Sequence, residues 1–240
     1  MKTRAKSELE RYPRPSLAVD VVALTVEQGQ LRVALYRRQA PPQRGTCALP
    51  DGFMHIDESL ETTAARVLAQ KAGLTGVFLE QLYTFGDLRR DPRGRVVAVA
   101  YYALVDAARF AVDAKKAPER ITARIAVPWP GETGGPVDVV DDSGRALPLF
   151  LDHADILGLA VKRLRGKLDY TPVGFQLLPQ AFTLRELQEI HEAVRGEPLN
   201  KDSFRRRMLA TGLLEATGAR ESDVSYRPAE LYRFTRRSAT

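Results

Sequence analysis

The chain has 240 residues, of which 44% are hydrophobic and 28% charged, with 17 Gly and 15 Pro; this is globular material, enough for one large or two small cores, and not a disordered or fibrous composition. No apolar run approaches the roughly 20 residues needed to cross a bilayer, and the opening "MKTRAKSELERYPRP" has no apolar segment suited to a secretory signal, so a cytoplasmic protein without membrane contact is expected. The net charge is +6, and from Lys201 onward nine Lys or Arg face five acids, so the last 40 residues supply +4 of it; the imbalance predicts an anionic partner at that end. The single cysteine, Cys47, excludes an intramolecular disulfide and a zinc cluster, and it is expected simply to pack.

In chain order, "SLAVDVVALTV" (16–26) and "LRVALYRR" (31–38) predict a hairpin across the turn-like "EQGQ". Next, "SLETTAARVLAQKAG" spaces Leu60, Ala64, Val67 and Leu68 at helical intervals, with Gly73 placed as a C-terminal cap. "GVFLEQLYTFGD" and "RVVAVAYYALV" predict two more strands around the turn chemistry of "LRRDPRG". Strand, strand, helix, strand, strand is the order of an α/β domain with a mixed sheet.

Residues 116–150 predict a short strand ending before Pro128, then a long loop or an added hairpin with "VDVV" and "RALPLF" as arms, and no function follows from them. "DHADILGLAVKRLRGKL" places Ile156, Leu159, Ala160 and Leu164 on one helical face, with Asp152 as cap; this helix, 153–167, is expected to link two domains. "DYTPVGFQLLP" is read as extended. In "FTLRELQEIHEAVRG", Thr183 and Glu186 form the reciprocal pattern of a capping box, and Leu184, Leu187, Ile190 and Val194 its buried face. "LNKDSFRRRMLATGLL" predicts a second helix capped by Asn200, with Phe204, Met208 and Leu209 inward and the basic residues outward. "LLEATG" and "AELYRFT" flank a polar tip, "ARESDVSYRP", and complete the outline of a winged helix-turn-helix. The expected division is 1–168 and 169–240.

Within "GFMHIDESLETTAARVLAQKAGL", Gly52, five residues, Glu58, seven residues, Arg66, then Leu68, Gly73 and Leu74 resemble the Nudix box, the loop, helix and loop that binds divalent cations and cleaves diphosphates. The resemblance fails where the box has its second set of glutamates: Val67, Gln70 and Lys71 stand there. Losing three acids removes the charge that Mg²⁺ requires, so neither a metal nor a cofactor is expected and hydrolysis should be crippled. A Lys ammonium in that position repels Mg²⁺ and attracts a diphosphate; alternatively, Lys71 is only a solvated helix residue.

The resemblance extends through "YPRPSLAVDVVALT", "ALPDGF", "QLYTFGDLRRDPRGRVVAVAYYALV", "DHADILGLAVKRLRGKLDYT", "FTLRELQEIHEAVRGEPLNKDSFRRRMLATGLLEATG" and "RPAELYRF". Together these resemble the NrtR family, Nudix-related transcriptional regulators of NAD metabolism, across nearly everything except 116–150. Asp51 departs from it, standing where many relatives have a second Gly. The resemblance implies a Nudix-like mixed-sheet sandwich with a C-terminal winged helix-turn-helix domain. It further implies a homodimeric repressor that binds a palindromic operator in double-stranded DNA and senses ADP-ribose or a related nucleotide.

The candidate effector residues are Arg37, Arg38, Glu58, Arg66, Gln70, Lys71 and Phe85, with His55 and Tyr83 as weaker ones; Glu58, Thr62, Arg66 and Gln70 recur every four residues and so share a helical face. Phe85 is either an adenine stack or sheet core. Arg89, Arg90 and Arg93 are either effector contacts across a dimer or a solvated tip. The candidate DNA residues are Lys201, Ser203, Arg205, Arg206, Arg207 and, on the wing, Arg227. They offer phosphate-binding charge and the guanidinium fork that reads guanine in the major groove. Two alternatives remain: a residual Nudix hydrolase of ADP-ribose or another nucleoside diphosphate, and the same architecture with a sugar-derived effector and a different regulon.

Overall fold

The first strand, β1 (Ser16–Glu27), sets the architecture because both of its faces are apolar. Val19, Val21 and Ala23 alternate with Val22, Leu24 and Val26, and the two sets lie in separate buried clusters on opposite sides of one sheet. The computed structural model describes residues 11–114, 116–168, 172–222, 225 and 227–235. Around β1 it arranges β2 (Gln30–Arg37), β3 (Cys47–Ala48), β4 (Asp51–Phe53), α1 (Leu60–Ala72), β5 (Phe78–Phe85), β6 (Val96–Leu104), α2 (Ala107–Ala114), β7 (Arg120–Ala126) and β8 (Asp138–Val140). The strand order is β5-β6-β1-β2-β7-β8, with β3 on β2 and β4 on β1. β1 and β6 run parallel and the other pairs antiparallel, so the sheet is mixed, as the sequence predicts.

One face of the sheet is covered by α1, through Ala64, Val67 and Leu68, and by Phe110 of α2. Ser59 caps α1 by accepting from the Thr62 amide, and Gly73 ends it at φ 73°, a left-handed conformation that favours glycine. The other face is covered by α3 (His153–Lys167) and α4 (Leu184–Arg195). Their side chains Ile156, Leu157, Val161, Leu187, Ile190 and Val194 form one continuous core with Val22, Leu24 and Leu35. The C-terminal module, α4, α5 (Lys201–Ala210), β9 (Leu214–Arg220) and β10 (Glu230–Phe234), is therefore seated on the sheet and buries apolar surface against it. The Thr183 capping box and the Asn200 cap form as the sequence predicts.

Four local expectations change. Residues 172–177 form a 3₁₀ turn where an extended segment was expected, residues 169–171 lying outside the described chain. The turn sends Phe175, Leu177 and Leu178 into the same core, which the strict alternation of an extended segment does not. Leu209 is 42% exposed, because the inward stripe of α5 is Phe204 and Met208, four residues apart, and Leu209 lies a further 100° or so around the helix. Asp152 occupies the cap position of α3 without making a cap hydrogen bond; its carboxylate instead accepts from Nε and Nη2 of Arg90 at 2.9 and 2.8 Å. Arg90 is accordingly a buried anchor, its side chain 5% exposed, and not a solvated tip.

The segment 116–150 also finds its place. β7 pairs with β2 and β8 with β7, so it widens the sheet, and the intervening loop packs along α3. Among the described residues no helix is long and apolar enough to cross a membrane.

Candidate effector cleft and nucleic-acid interface

The end of β2 and the whole of β4 bring Tyr36, Arg37, Arg38, Asp51, Gly52 and Phe53 to one cleft, with Gln70 and Lys71 of α1 above them and Arg93 and residues 116–119 closing its sides. Its volume is about 550 Å³, within the size range of small-molecule sites. Arg37, Arg38, Lys71, Arg93 and Lys116 line it against the acids Asp51 and Glu119, so the walls favour an anionic ligand.

At the floor, Lys71 Nζ is 2.9 Å from Asp51 Oδ1 and 3.8 Å from the centre of the Tyr36 ring. The Tyr36 hydroxyl donates to the same carboxylate oxygen. Burial works against the Asp51 charge, but the Lys71 charge and these two hydrogen bonds outweigh it and hold the carboxyl below the usual range. Burial, then the Asp51 charge, pushes the Tyr36 phenol upward. A cation, an aromatic ring and a carboxylate therefore stand together at the floor of the cleft.

Of the predicted effector residues, Arg37, Arg38, Gln70 and Lys71 line the cleft. Arg38 is 7% exposed, its guanidinium carbon 3.6 Å from the centre of the Phe150 ring. Glu58 and Arg66 are occupied with each other: Arg66 donates from Nε and Nη2 to the two Glu58 oxygens at 2.6 and 2.7 Å, and from Nη2 to the Phe53 carbonyl at 3.0 Å. Glu58 also accepts from Thr63 and from the His55 amide. The Arg66 fork, more than any other contact, drives the Glu58 carboxyl down to about 2. This pair fastens the loop to α1 beside the cleft without lining it. Val67 is buried in the core over Gly52, where an added Cβ would lie 2.7 Å from Val67 Cγ1.

Phe85 lies outside the cleft. It packs against the core on the α3 side and meets Tyr83 edge to face. The register of β5 shifts between Gln81 and Tyr83, a bulge that breaks simple alternation and leaves Tyr83 58% exposed. Sequence reasoning missed Tyr36, Phe53, Lys116 and Glu119 as lining residues; only Tyr36, next to Arg37 on a strand entering the site, carried a usable signal.

In the C-terminal module, Lys201, Ser203, Arg205, Arg206 and Arg207 are all exposed on α5. The Ser203 amide donates to Asn200 Oδ1 at 3.0 Å, and Arg207 lies 5.6 Å from the Phe204 ring centre. Among the described residues no acid forms an ion pair with Lys201, Arg205 or Arg206, so their charge is directed to solvent. Arg227 is exposed in the connection between β9 and β10, the position of a wing.

Comparison with known proteins agrees with both modules. The NUDIX domain family matches residues 14–125, and the NrtR DNA-binding winged helix domain family matches residues 174–234. A relative from Acinetobacter baylyi, named ADPR responsive transcriptional repressor NtrR, is 36% identical over 232 residues, covering 96% of this chain and 86% of the relative. The crystal structure of Shewanella oneidensis NrtR complexed with a 27mer DNA superposes with a TM-score of 0.74 at 35% identity, covering 91% of this chain and 93% of that one. A MutT/nudix family protein from Enterococcus faecalis gives a TM-score of 0.75 at 26% identity, covering 93% and 88%. With a Nudix fold at one end, a winged helix at the other and a relative of this identity over nearly its whole length, the chain belongs to the NrtR family of Nudix-related transcriptional regulators.

Proposed function

We propose that this chain is a transcriptional repressor that binds double-stranded DNA as a homodimer and releases it in response to ADP-ribose or a closely related nucleotide. The observation that carries the reading is the pairing, in one chain, of an unneutralised basic helix with a cation-lined Nudix cleft whose floor holds the Lys71–Asp51 contact. In this reading the division falls at 168/169. Arg37, Arg38, Gln70 and Lys71 meet the diphosphate. Lys201, Ser203, Arg205, Arg206 and Arg207 enter the major groove, and Arg227 reaches the neighbouring backbone.

The same chemistry argues against a hydrolase. Gln70 and Lys71 supply no carboxylate, Val67 is core, and Glu58 is already saturated by Arg66, Thr63 and His55. A Lys ammonium at the floor favours holding a diphosphate over recruiting the divalent cations that would cleave it.

Fluorescence anisotropy of the protein on DNA from upstream of its own gene, at fixed salt because salt controls such affinities, tests the proposal. Specific binding that ADP-ribose weakens is the expected result. Specific binding indifferent to ADP-ribose replaces the effector, for instance with a sugar-derived nucleotide. Mg²⁺-dependent ADP-ribose turnover at about 1 per second or faster, an ordinary enzymatic rate, overturns the reading.

A further inference from the structure

α3 is fastened to the sensor at its start and to both modules at its end. At its start, the Leu49 amide donates to His153 Nδ1 at 3.0 Å, and Asp152 accepts from Nε and Nη2 of Arg90. A small cavity of about 40 Å³ there is shared by His153 and Arg90 with Asp51, Gly52 and Phe53 of the effector cleft. From His153 the helix then carries the chain roughly 18 Å to Arg165.

Arg165 is 8% exposed and joins three elements. Its Nε donates to the Val194 carbonyl of α4 at 2.8 Å, and its Nη1 to the Gly131 and Trp129 carbonyls at 2.7 and 3.2 Å, with the Trp129 ring centre 4.8 Å from the guanidinium carbon. Val194 lies in the last turn of α4, where carbonyls have no intrahelical partner, so Arg165 satisfies a group the helix cannot. Gly196, which ends α4, leaves room for the fork: an added Cβ would lie 3.3 Å from Arg165 Nη2.

The loop that supplies the other two carbonyls is fitted to α3 along a single stripe, Gly158, Lys162 and Gly166, each four residues from the next. An added Cβ at Gly158 would lie 1.9 Å from the Gly135 carbonyl oxygen, one at Gly166 would meet the Glu132 carboxylate at 2.8 Å, and Lys162 Nζ donates to the Thr133 carbonyl. The same loop continues β7, whose approach, residues 116–119, lines the effector cleft. Both routes out of the cleft, through α3 and through β7, thus converge on one guanidinium.

We propose that Arg165 is the positioning residue that couples the effector cleft to the recognition helix. It fixes α4, and α5 through α4, in one setting on the sensor. A planar fork with three fixed carbonyl acceptors keeps its bonds in one arrangement and exchanges them for another; it does not stretch continuously. A ligand that displaces α3 or the 129–136 loop therefore resets the DNA-binding module in a step. This inference rests on the regulator reading above.

The test uses the full chain with Arg165→Gln, which removes the fork and the charge, and Arg165→Lys, which keeps the buried stem and the charge but offers no fork. Operator affinity is measured with and without ADP-ribose, and ADP-ribose affinity is measured without DNA. Both variants are expected to bind ADP-ribose within about threefold of wild type, while the ADP-ribose-dependent change in operator affinity shrinks to about twofold or less, against the 5- to 150-fold typical of coupled sites. A residue needed only for stability would lower the melting temperature and leave that ratio unchanged. If Arg165→Gln fails to fold, Arg165→Lys decides alone. A wild-type response retained in full by the folded variant overturns the proposal, whereas a wild-type protein whose operator affinity ignores ADP-ribose overturns the regulator reading and this inference with it.

Discussion

Lys71 Nζ and Asp51 Oδ1 stand 2.9 Å apart at the floor of the cleft. Each charge is neutralised by the other, so the pair brings little net charge to the cleft floor. Their side chains are 30% and 18% exposed, so solvent screens the pair only partly. In a double-mutant cycle with Asp51→Asn and Lys71→Gln, we expect a coupling energy in thermal or denaturant stability of about 1 kcal/mol. Lys71→Gln alone should weaken ADP-ribose binding by about tenfold, since it removes a charge-assisted contact to phosphate. Calorimetry showing unchanged affinity would remove Lys71 from the effector site.

A second buried arrangement, behind the cleft, makes a prediction about pH. Asp20 Oδ1 and His153 Nε2 are 3.9 Å apart, and Arg90 Nη2 is 3.4 Å from Asp20 Oδ2. Burial, reinforced by Asp51 and Asp152 against Arg90, pushes the Asp20 carboxyl from 3.8 up to about 7. Burial, opposed by Asp51 and Asp152 and assisted by Arg90 and Arg38, holds the His153 imidazole down from 6.5 to about 4. Between about pH 4 and 7 the folded state retains a proton on Asp20 that the unfolded state has lost, so this group makes stability fall as pH rises. Between about pH 4 and 6.5 the unfolded state holds a proton on His153 that the folded state lacks, so that group makes stability rise with pH. The slopes oppose, and the pair together leaves wild-type stability nearly flat over the shared window. Asp20→Asn should expose a stability that increases from about pH 4 to 6.5, and His153→Gln one that decreases from about pH 4 to 7. Urea denaturation at a series of pH values reads both; parallel profiles for the two variants would contradict the assignment.

Gly52 and Val67 give a packing prediction. A Cβ at Gly52 would lie 2.7 Å from Val67 Cγ1, and the valine is 1% exposed and, being β-branched in a helix, stiff about χ1. Gly52→Ala should cost about 1–3 kcal/mol, the usual range for overpacking. Adding Val67→Ala should recover part of that loss, so the double variant is more stable than the sum of the singles. Strict additivity in the melting data would show that the clash relaxes elsewhere.

The sequence carries the fold wherever local rules act alone. The Thr183–Glu186 capping box, the Asn200 cap, Gly73 and the double-faced apolar run of β1 each encode their own geometry. It loses legibility where a side chain finds its partner far along the chain. Arg90 meets Asp152 across 62 residues and Asp20 across 70, and neither periodicity nor composition announces such pairings. The candidate site divides in the same way. Gln70 and Lys71 were legible from their positions within the box, and Arg37 and Arg38 from ending a strand where the pocket opens. Phe85, readable in the sequence as an adenine stack or as sheet core, packs against the core, because the bulge at Gln81/Tyr83 sets which residues of β5 face inward. Residues 116–150 carried no readable function because their contribution is three-dimensional: an extra sheet edge, one wall of the cleft and two carbonyls for Arg165.

The recognition helix gives the most direct test of the DNA-binding surface. On α5 the buried stripe is Phe204 and Met208, so helical geometry sets Arg206 almost opposite the core with Arg205 beside it and Lys201 and Ser203 nearer the amino end. An arginine at the centre of the outward face reaches base edges, whereas flanking cations meet phosphates. Arg206→Ala should weaken specific operator binding by about 1–3 kcal/mol and relax discrimination at one base pair. Lys201→Ala should weaken all sequences alike and reduce the slope of log affinity against log salt by about one. Neither substitution touches the effector cleft, so ADP-ribose affinity should not change. Titrations across a salt series with operator and single-base variants separate the two roles. Equal loss on specific and random DNA for Arg206→Ala would make that residue a phosphate contact and move base recognition to another position on the helix.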